Sequence, residues 1–137
     1  MKIKIVLILL ALCFTSIAAV WYYVFQYSKT HHRDVELENA IAVTAGQLVK
    51  DYQANESSAN AHYLNKVIQI KGDVIKEGKD QAGNYTVTLK SNDPFSGVLC
   101  TLKNGSKISG THSTIVVKGI CAGFLTDVVL NEGVIVK

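Results

Sequence analysis

Hydrophobic positions along this chain follow three successive patterns, and each predicts a different kind of element. Residues 5–25 are uncharged and almost wholly apolar, diluted only by Thr15 and Ser16, behind the basic start Met1-Lys2-Ile3-Lys4. About 20 apolar residues are enough to cross the hydrocarbon core of a bilayer as a helix, so residues 1–27 are expected to be an N-terminal membrane anchor. A polar connector at 28–43 follows, with residues 35–42 as its one candidate helix. Helical spacing then appears twice. Thr44-Ala45-Gly46-Gln47 has the spacing of a capping box, in which the Thr hydroxyl and the Gln amide satisfy free backbone donors. It predicts a short helix ending near Asn55, with Leu48 and Tyr52 inward and Lys50 and Asp51 outward. A second short helix, capped by Asn55 or Ser57, carries Ala59, Tyr63 and Leu64 toward the core.

After Asn65 the period changes from helical to alternating, which marks the entry into a sheet. Five strands are expected, at 67–76, 84–90, 97–103, 114–122 and 127–136. Ile68, Ile70, Gly72 and Val74 share one face of the first. Tyr85, Val87 and Leu89 share one face of the second, and Val98, Cys100 and Leu102 one face of the third. In the fourth, Ile115, Val117, Gly119 and Cys121 are set against Val116, Lys118 and Ile120. Gly72 and Gly119 sit mid-strand, where glycine permits the sharp coil or bulge that turns a barrel corner. Asn131-Glu132-Gly133 should interrupt the fifth strand in the same way. A polar turn is expected at Asn104-Gly105-Ser106. Five short strands over some seventy residues predict a mainly β domain at 44–137, a small closed barrel of the OB-fold kind preceded by short helices. Closure also protects its edges.

The apolar N-terminus admits three fates. Ser16-Ile17-Ala18 before Ala19 offers a cleavage site of small residues, yet the apolar run continues past it. Leu10-Ala11-Leu12-Cys13 resembles a lipobox poorly, because Leu12 stands where a small residue belongs. Trp21, Tyr22, Tyr23 and Phe25 form an aromatic belt of the kind that seats a spanning helix at the interface, and the uncleaved anchor is the favoured fate. Lys2, Lys4 and the terminal amine precede the helix, which places the N-terminus inside and the domain outside the membrane, in a bacterium the periplasmic side.

Charge narrows the function. Two of the 14 basic residues, Lys2 and Lys4, lie ahead of the apolar run, and the rest nearly balance the 11 acidic ones. Proteins that live on phosphate contacts cluster Lys and Arg on one face, whereas the lysines here are scattered and Arg33 is the sole arginine. Motifs for hydrolase, phosphate-loop, zincin or dithiol chemistry are absent, so no enzymatic activity and no cofactor are expected. Neither the tandem His31-His32 nor the trio Cys100, His112 and Cys121 has metal-ligand spacing, and no metal site is expected. Cys100 and Cys121 fall on core-facing positions of strands that flank the fifth in an OB barrel. Two strand spacings, about twice 4.8 Å, exceed disulfide reach, so both should be free buried thiols.

The segment Asn55-Glu56-Ser57-Ser58-Ala59-Asn60-Ala61-His62-Tyr63-Leu64-Asn65-Lys66, the strand carrying Lys71-Gly72, and Val116-Val117-Lys118-Gly119-Ile120-Cys121 together resemble the bacterial tRNA_anti-like OB-fold family over roughly residues 44–136. The resemblance implies an OB barrel in a small envelope protein, kin to anticodon-binding domains. Its members often carry a cysteine in the last strand, where this chain has Gly133-Val134. A fold does not assign a ligand, and two function classes follow. One is a membrane-tethered module presenting its barrel to an envelope protein, peptide or glycan. The other is an oligonucleotide binder, which needs exposed aromatics beside a basic groove. Tyr85 is assigned to the core. Phe95 and Phe124, in loops, and Lys71 and Lys90 form the candidate binding patch, with the two phenylalanines inclined to plug the barrel ends. The interaction module is favoured and nucleic acid is not the expected partner.

Overall fold

The computed structural model describes residues 2–27, 34–103, 108 and 113–136; His31-His32, Asn104-Gly105-Ser106 and His112 lie outside the described residues. The chain divides into two compact units, Met1–Asp34 and Val35–Lys137.

The first unit is helix α1 (Lys2–Tyr22), which finishes in one π-helical turn, Tyr23–Tyr27. The stretch Ile3–Tyr27, 25 residues with a mean hydropathy of 2.6, is long and apolar enough to cross a membrane, and none of it is buried in protein. Thr15 and Ser16 return their hydroxyls to the helix backbone, to Ala11 and Leu12 at 3.1 and 3.0 Å and to Cys13 at 2.8 Å. A hydrocarbon environment demands that internal satisfaction. Aromatic pairs gather at the C-terminal end, Trp21 with Phe25 at 5.6 Å and Tyr23 stacked on Tyr27 at 5.2 Å.

The second unit runs β1 (Ile41–Thr44), α2 (Ala45–Ala54), α3 (Glu56–Tyr63), β2 (Val67–Lys79), β3 (Tyr85–Leu89), β4 (Val98–Leu102), β5 (Thr114–Phe124) and β6 (Val128–Val136). Strands β2 to β6 form a closed five-stranded barrel of OB topology: the order is β2-β3-β4-β6-β5, and β5 returns to β2. The expected inward faces are the buried ones, since Ile68, Ile70, Val74, Val87, Leu89, Val98, Cys100, Leu102, Val117 and Cys121 all belong to the core. Alternation is enough to fix this, because a slip of one residue would expose every one of them.

Closure needs bends, and they fall where the glycines predicted. Strand β2 slips register between Val74 and Lys76, just past Gly72, where a Cβ would meet that of Leu89 at 3.1 Å. Strand β5 slips against β6 between Lys118 and Ile120, around Gly119. The opposing Glu132 takes a left-handed φ of 53°. Asn131-Glu132-Gly133 is therefore a bulge inside β6.

Both helices start at the expected caps, although the Gln47 amide donates to Asp51 at 2.6 Å instead of closing the capping box. The Thr44 hydroxyl accepts the Gln47 N–H at 3.2 Å and the Asn55 side chain accepts that of Ser58 at 3.0 Å. Helix α2 buries Leu48, Val49 and Tyr52, and α3 buries Ala59 and Tyr63, whereas Leu64 stays 36 % exposed. The Tyr52 hydroxyl lies 3.3 Å from the Cys121 sulfur, and that of Tyr63 donates to Asp51 at 2.7 Å. Burial first, then these hydrogen bonds, pushes both phenols up, that of Tyr63 to about 12.

The segment 35–42 is not helical. It makes a turn at 35–37 and then strand β1, which pairs in parallel with β2 from Ile41 opposite Ile68 to Thr44 opposite Lys71. Val35 is 1 % exposed, and the Lys118 ammonium donates to the Glu36 carbonyl at 2.8 Å. Four residues are too few for alternation to register, and the ladder that makes them a strand is supplied by β2. Strands β2 and β5 also run three and two residues longer than expected. Cys100 and Cys121 are fully buried, free thiols that pair with Leu130 from its two sides. A whole strand thus separates them.

A cationic cavity where a strand changes partners

Strand β2 is longer than any neighbour can cover. Along one edge it pairs with β1 as far as Lys71 and with β3 from Val74 onward. At that change the C-terminus of β1 and that of β3 meet, and the chain leaves each in a different direction. An open cavity of about 450 Å³ forms there, lined by Thr44, Ala45 and Gly46 from the start of α2, Lys71, Gly72 and Asp73 from β2, and Lys90, Ser91 and Asn92 after β3. Two of the four expected patch residues, Lys71 and Lys90, are thereby brought together. Their separation in sequence hides this; the change of partners creates it.

The charge balance of the cavity favours anions. Asp73 accepts the Thr114 hydroxyl, and its carbonyl accepts the Lys90 N–H at 2.8 Å. No carboxylate among the described residues pairs with the ammonium of Lys71 or Lys90. Gly46 opens the wall, for a Cβ there would press on the Asn92 amide at 2.8 Å.

Beyond Asn92 the loop is held rigidly. One Asp93 oxygen accepts the N–H groups of Phe95 and Ser96 at 2.7 and 2.8 Å, and the other accepts the Gln53 amide at 3.1 Å. The Phe95 N–H first, then Gln53, holds this carboxyl below the usual range. The buried Ser91 hydroxyl donates to the Ser96 carbonyl and accepts the Asp93 N–H at 3.0 Å. The Gly97 N–H donates to Asp127 at 2.7 Å and its carbonyl accepts the Val128 N–H at 3.0 Å. These bonds stitch the loop to the β5–β6 turn.

The two phenylalanines part company. Phe124 is half-buried and stacks on Tyr52 at 5.8 Å, so it plugs the barrel. Phe95 does not: at 87 % exposed it projects from the rigid loop, and Leu125, on the stitched turn, is 85 % exposed. Leu125 carried no signal in the sequence, because a lone apolar residue in a turn has no period. Tyr85 packs half-buried against the core, with the Lys79 ammonium 4.9 Å from its ring centre. Among the described residues no three of His, Cys, Asp and Glu gather to hold a metal.

No curated protein matches this chain. The crystal structure of a "putative nucleic acid-binding lipoprotein" from Klebsiella pneumoniae subsp. pneumoniae superposes with a TM-score of 0.56 at 18% identity, over 70% of this chain and 92% of that one. At that identity the likeness speaks for the fold. The sequence model of the tRNA_anti-like family matches residues 1–133, the apolar helix included, and the chain belongs to that family.

Proposed function

We propose that this protein is a membrane-anchored, extracytoplasmic binding module without catalytic activity, which holds an anionic group of an envelope component in the cavity between Lys71 and Lys90. The observation that carries this reading is the convergence on one open cavity of two ammonium groups that no carboxylate among the described residues pairs with. Family membership and the apolar N-terminal helix agree with it. The basic start of the chain favours a cytoplasmic N-terminus and an exported barrel. Affinity capture from envelope membranes with the full chain tests the reading. Reproducible partners should be recovered by the wild type and lost with Lys71→Glu/Lys90→Glu; partners indifferent to both lysines would defeat it.

A second reading, oligonucleotide binding, draws on the likeness to the Klebsiella lipoprotein, which is described as nucleic acid-binding. Two lysines suit a phosphate, but a strand-tracking groove needs several such contacts. Low-micromolar binding of oligo-dT or oligo-U with a steep salt dependence would establish it.

A further inference from the structure

The sequence alone suggests a tether as long as the connector, but the barrel takes most of that connector for itself. Val35 is buried and Glu36 is held by Lys118, so the barrel begins at residue 35. Val35 follows Tyr27 by eight residues, and at ~3.5 Å each these span at most about 28 Å. The point where the chain enters the barrel is thereby held within about 28 Å of Tyr27.

One end of the barrel is built to meet a bilayer. Phe95 and Leu125 are the exposed tips of two loops joined through Gly97, Asp127 and Val128. Neither tip needs to rearrange to leave water, since Asp93 fixes the first loop from within. The same loop begins at Lys90, and Asn92, three residues before Phe95, lines the cationic cavity. The acids of the two loops, Asp93 and Asp127, are turned onto backbone N–H groups, and Asp73 in the cavity, the one acid against two lysines there, accepts the Thr114 hydroxyl. Apolar tips beside basic residues are the pattern of a surface that rests at the interface and takes lipid headgroups. The tether reaches far enough. Glu36 lies with Val134 along one cavity of the barrel wall, and Val134 is six residues from Val128 on the strand that starts beside Leu125, about 20 Å. Eight residues of chain cover that distance.

We infer that this end of the barrel docks on the membrane that anchors the chain, with Phe95 and Leu125 seated in the interface and Lys71 and Lys90 holding the phosphate of an anionic lipid headgroup. The inference rests on the binding-module reading and names its ligand. The test uses the full chain in nanodiscs of phosphatidylcholine, with and without one third phosphatidylglycerol. Lysine acetylation is read site by site, and brominated lipid reports on Phe95→Trp in a Trp21→Phe background. At about 1 kcal/mol per lysine near an anionic surface, labelling of Lys71 and Lys90 should fall about fivefold with phosphatidylglycerol while Lys103 is unchanged. The tryptophan at position 95 should be quenched by the brominated lipid.

Unchanged labelling, or an unquenched tryptophan, overturns the inference. Equal protection by millimolar inorganic phosphate in phosphatidylcholine discs, with nothing added by phosphatidylglycerol, assigns the site to a free anion and overturns the lipid source. Protection by oligo-dT alone does the same in favour of nucleic acid. Failure here with an envelope partner still lost in Lys71→Glu/Lys90→Glu would leave the binding module standing, so the two readings fail separately.

Discussion

At the scale of single residues, the tightest constraint is Gly97. A Cβ there would lie 2.7 Å from the Leu89 carbonyl oxygen, a backbone atom inside a ladder that has no room to move. Gly97→Ala should therefore destabilise the domain by roughly 1–3 kcal/mol or more, the usual range for overpacking. Urea unfolding reads it, and an unchanged midpoint would contradict the contact. Cys100 gives a pH dependence. Burial pushes its thiol up to about 12, while an unfolded chain has a cysteine near 8.5. The unfolded state is thus the first to lose the proton, and stability is fully present below about pH 8.5 and declines as pH rises toward the folded value. Cys100→Ala should remove much of that alkaline decline at some loss of packing. The same slope in both proteins would assign it to the tyrosines instead.

Elements show what the sequence holds and what it does not. The inward faces of the first four barrel strands were legible, because Ile68, Ile70 and Val74, or Val98, Cys100 and Leu102, alternate long enough to set a register, whereas the bulge at Asn131-Glu132-Gly133 breaks the alternation of the fifth. Caps at Thr44 and Asn55 were legible as side-chain chemistry local to three residues. Asn55→Ala should cost about 1 kcal/mol, read by urea unfolding. Strand β1 was not legible, since Ile41-Ala42-Val43-Thr44 is a strand only by virtue of its partner. The cavity was not legible either, for Lys71 and Lys90 meet only because β2 exchanges β1 for β3. In the bulge of β6, Glu132 stands at φ 53°, which a residue with a Cβ tolerates poorly. Glu132→Gly should be neutral to stabilising, by up to about 1 kcal/mol, despite the extra unfolded-state entropy of glycine. A clear loss of stability would show that the Glu132 side chain matters more than its backbone.

For the molecule as a whole, the question is where the folded barrel begins. A boundary drawn from hydrophobic pattern falls at Thr44, whereas the compact unit begins at Val35. Between the two lie a side chain only 1 % exposed, a lysine-to-carbonyl hydrogen bond of 2.8 Å and most of a parallel ladder on β2. Full burial of a valine contributes about 1.5–3 kcal/mol, and each ladder hydrogen bond about 0.5–1.5 kcal/mol net. Ordering nine residues opposes these terms, at about 1 kcal/mol or more for each backbone unit fixed. The segment is kept because its apolar side chains, Val35, Ile41 and Val43, add burial to every bond made. A chain of residues 35–137 should accordingly have a higher urea midpoint than one of 44–137. The shorter chain should also lose protection from amide exchange along residues 68–71, whose backbone groups β1 covers. Equal midpoints and equal protection in the two chains would return residues 35–43 to the tether, lengthen it by nine residues, and remove the limit on how far the barrel stands from its membrane.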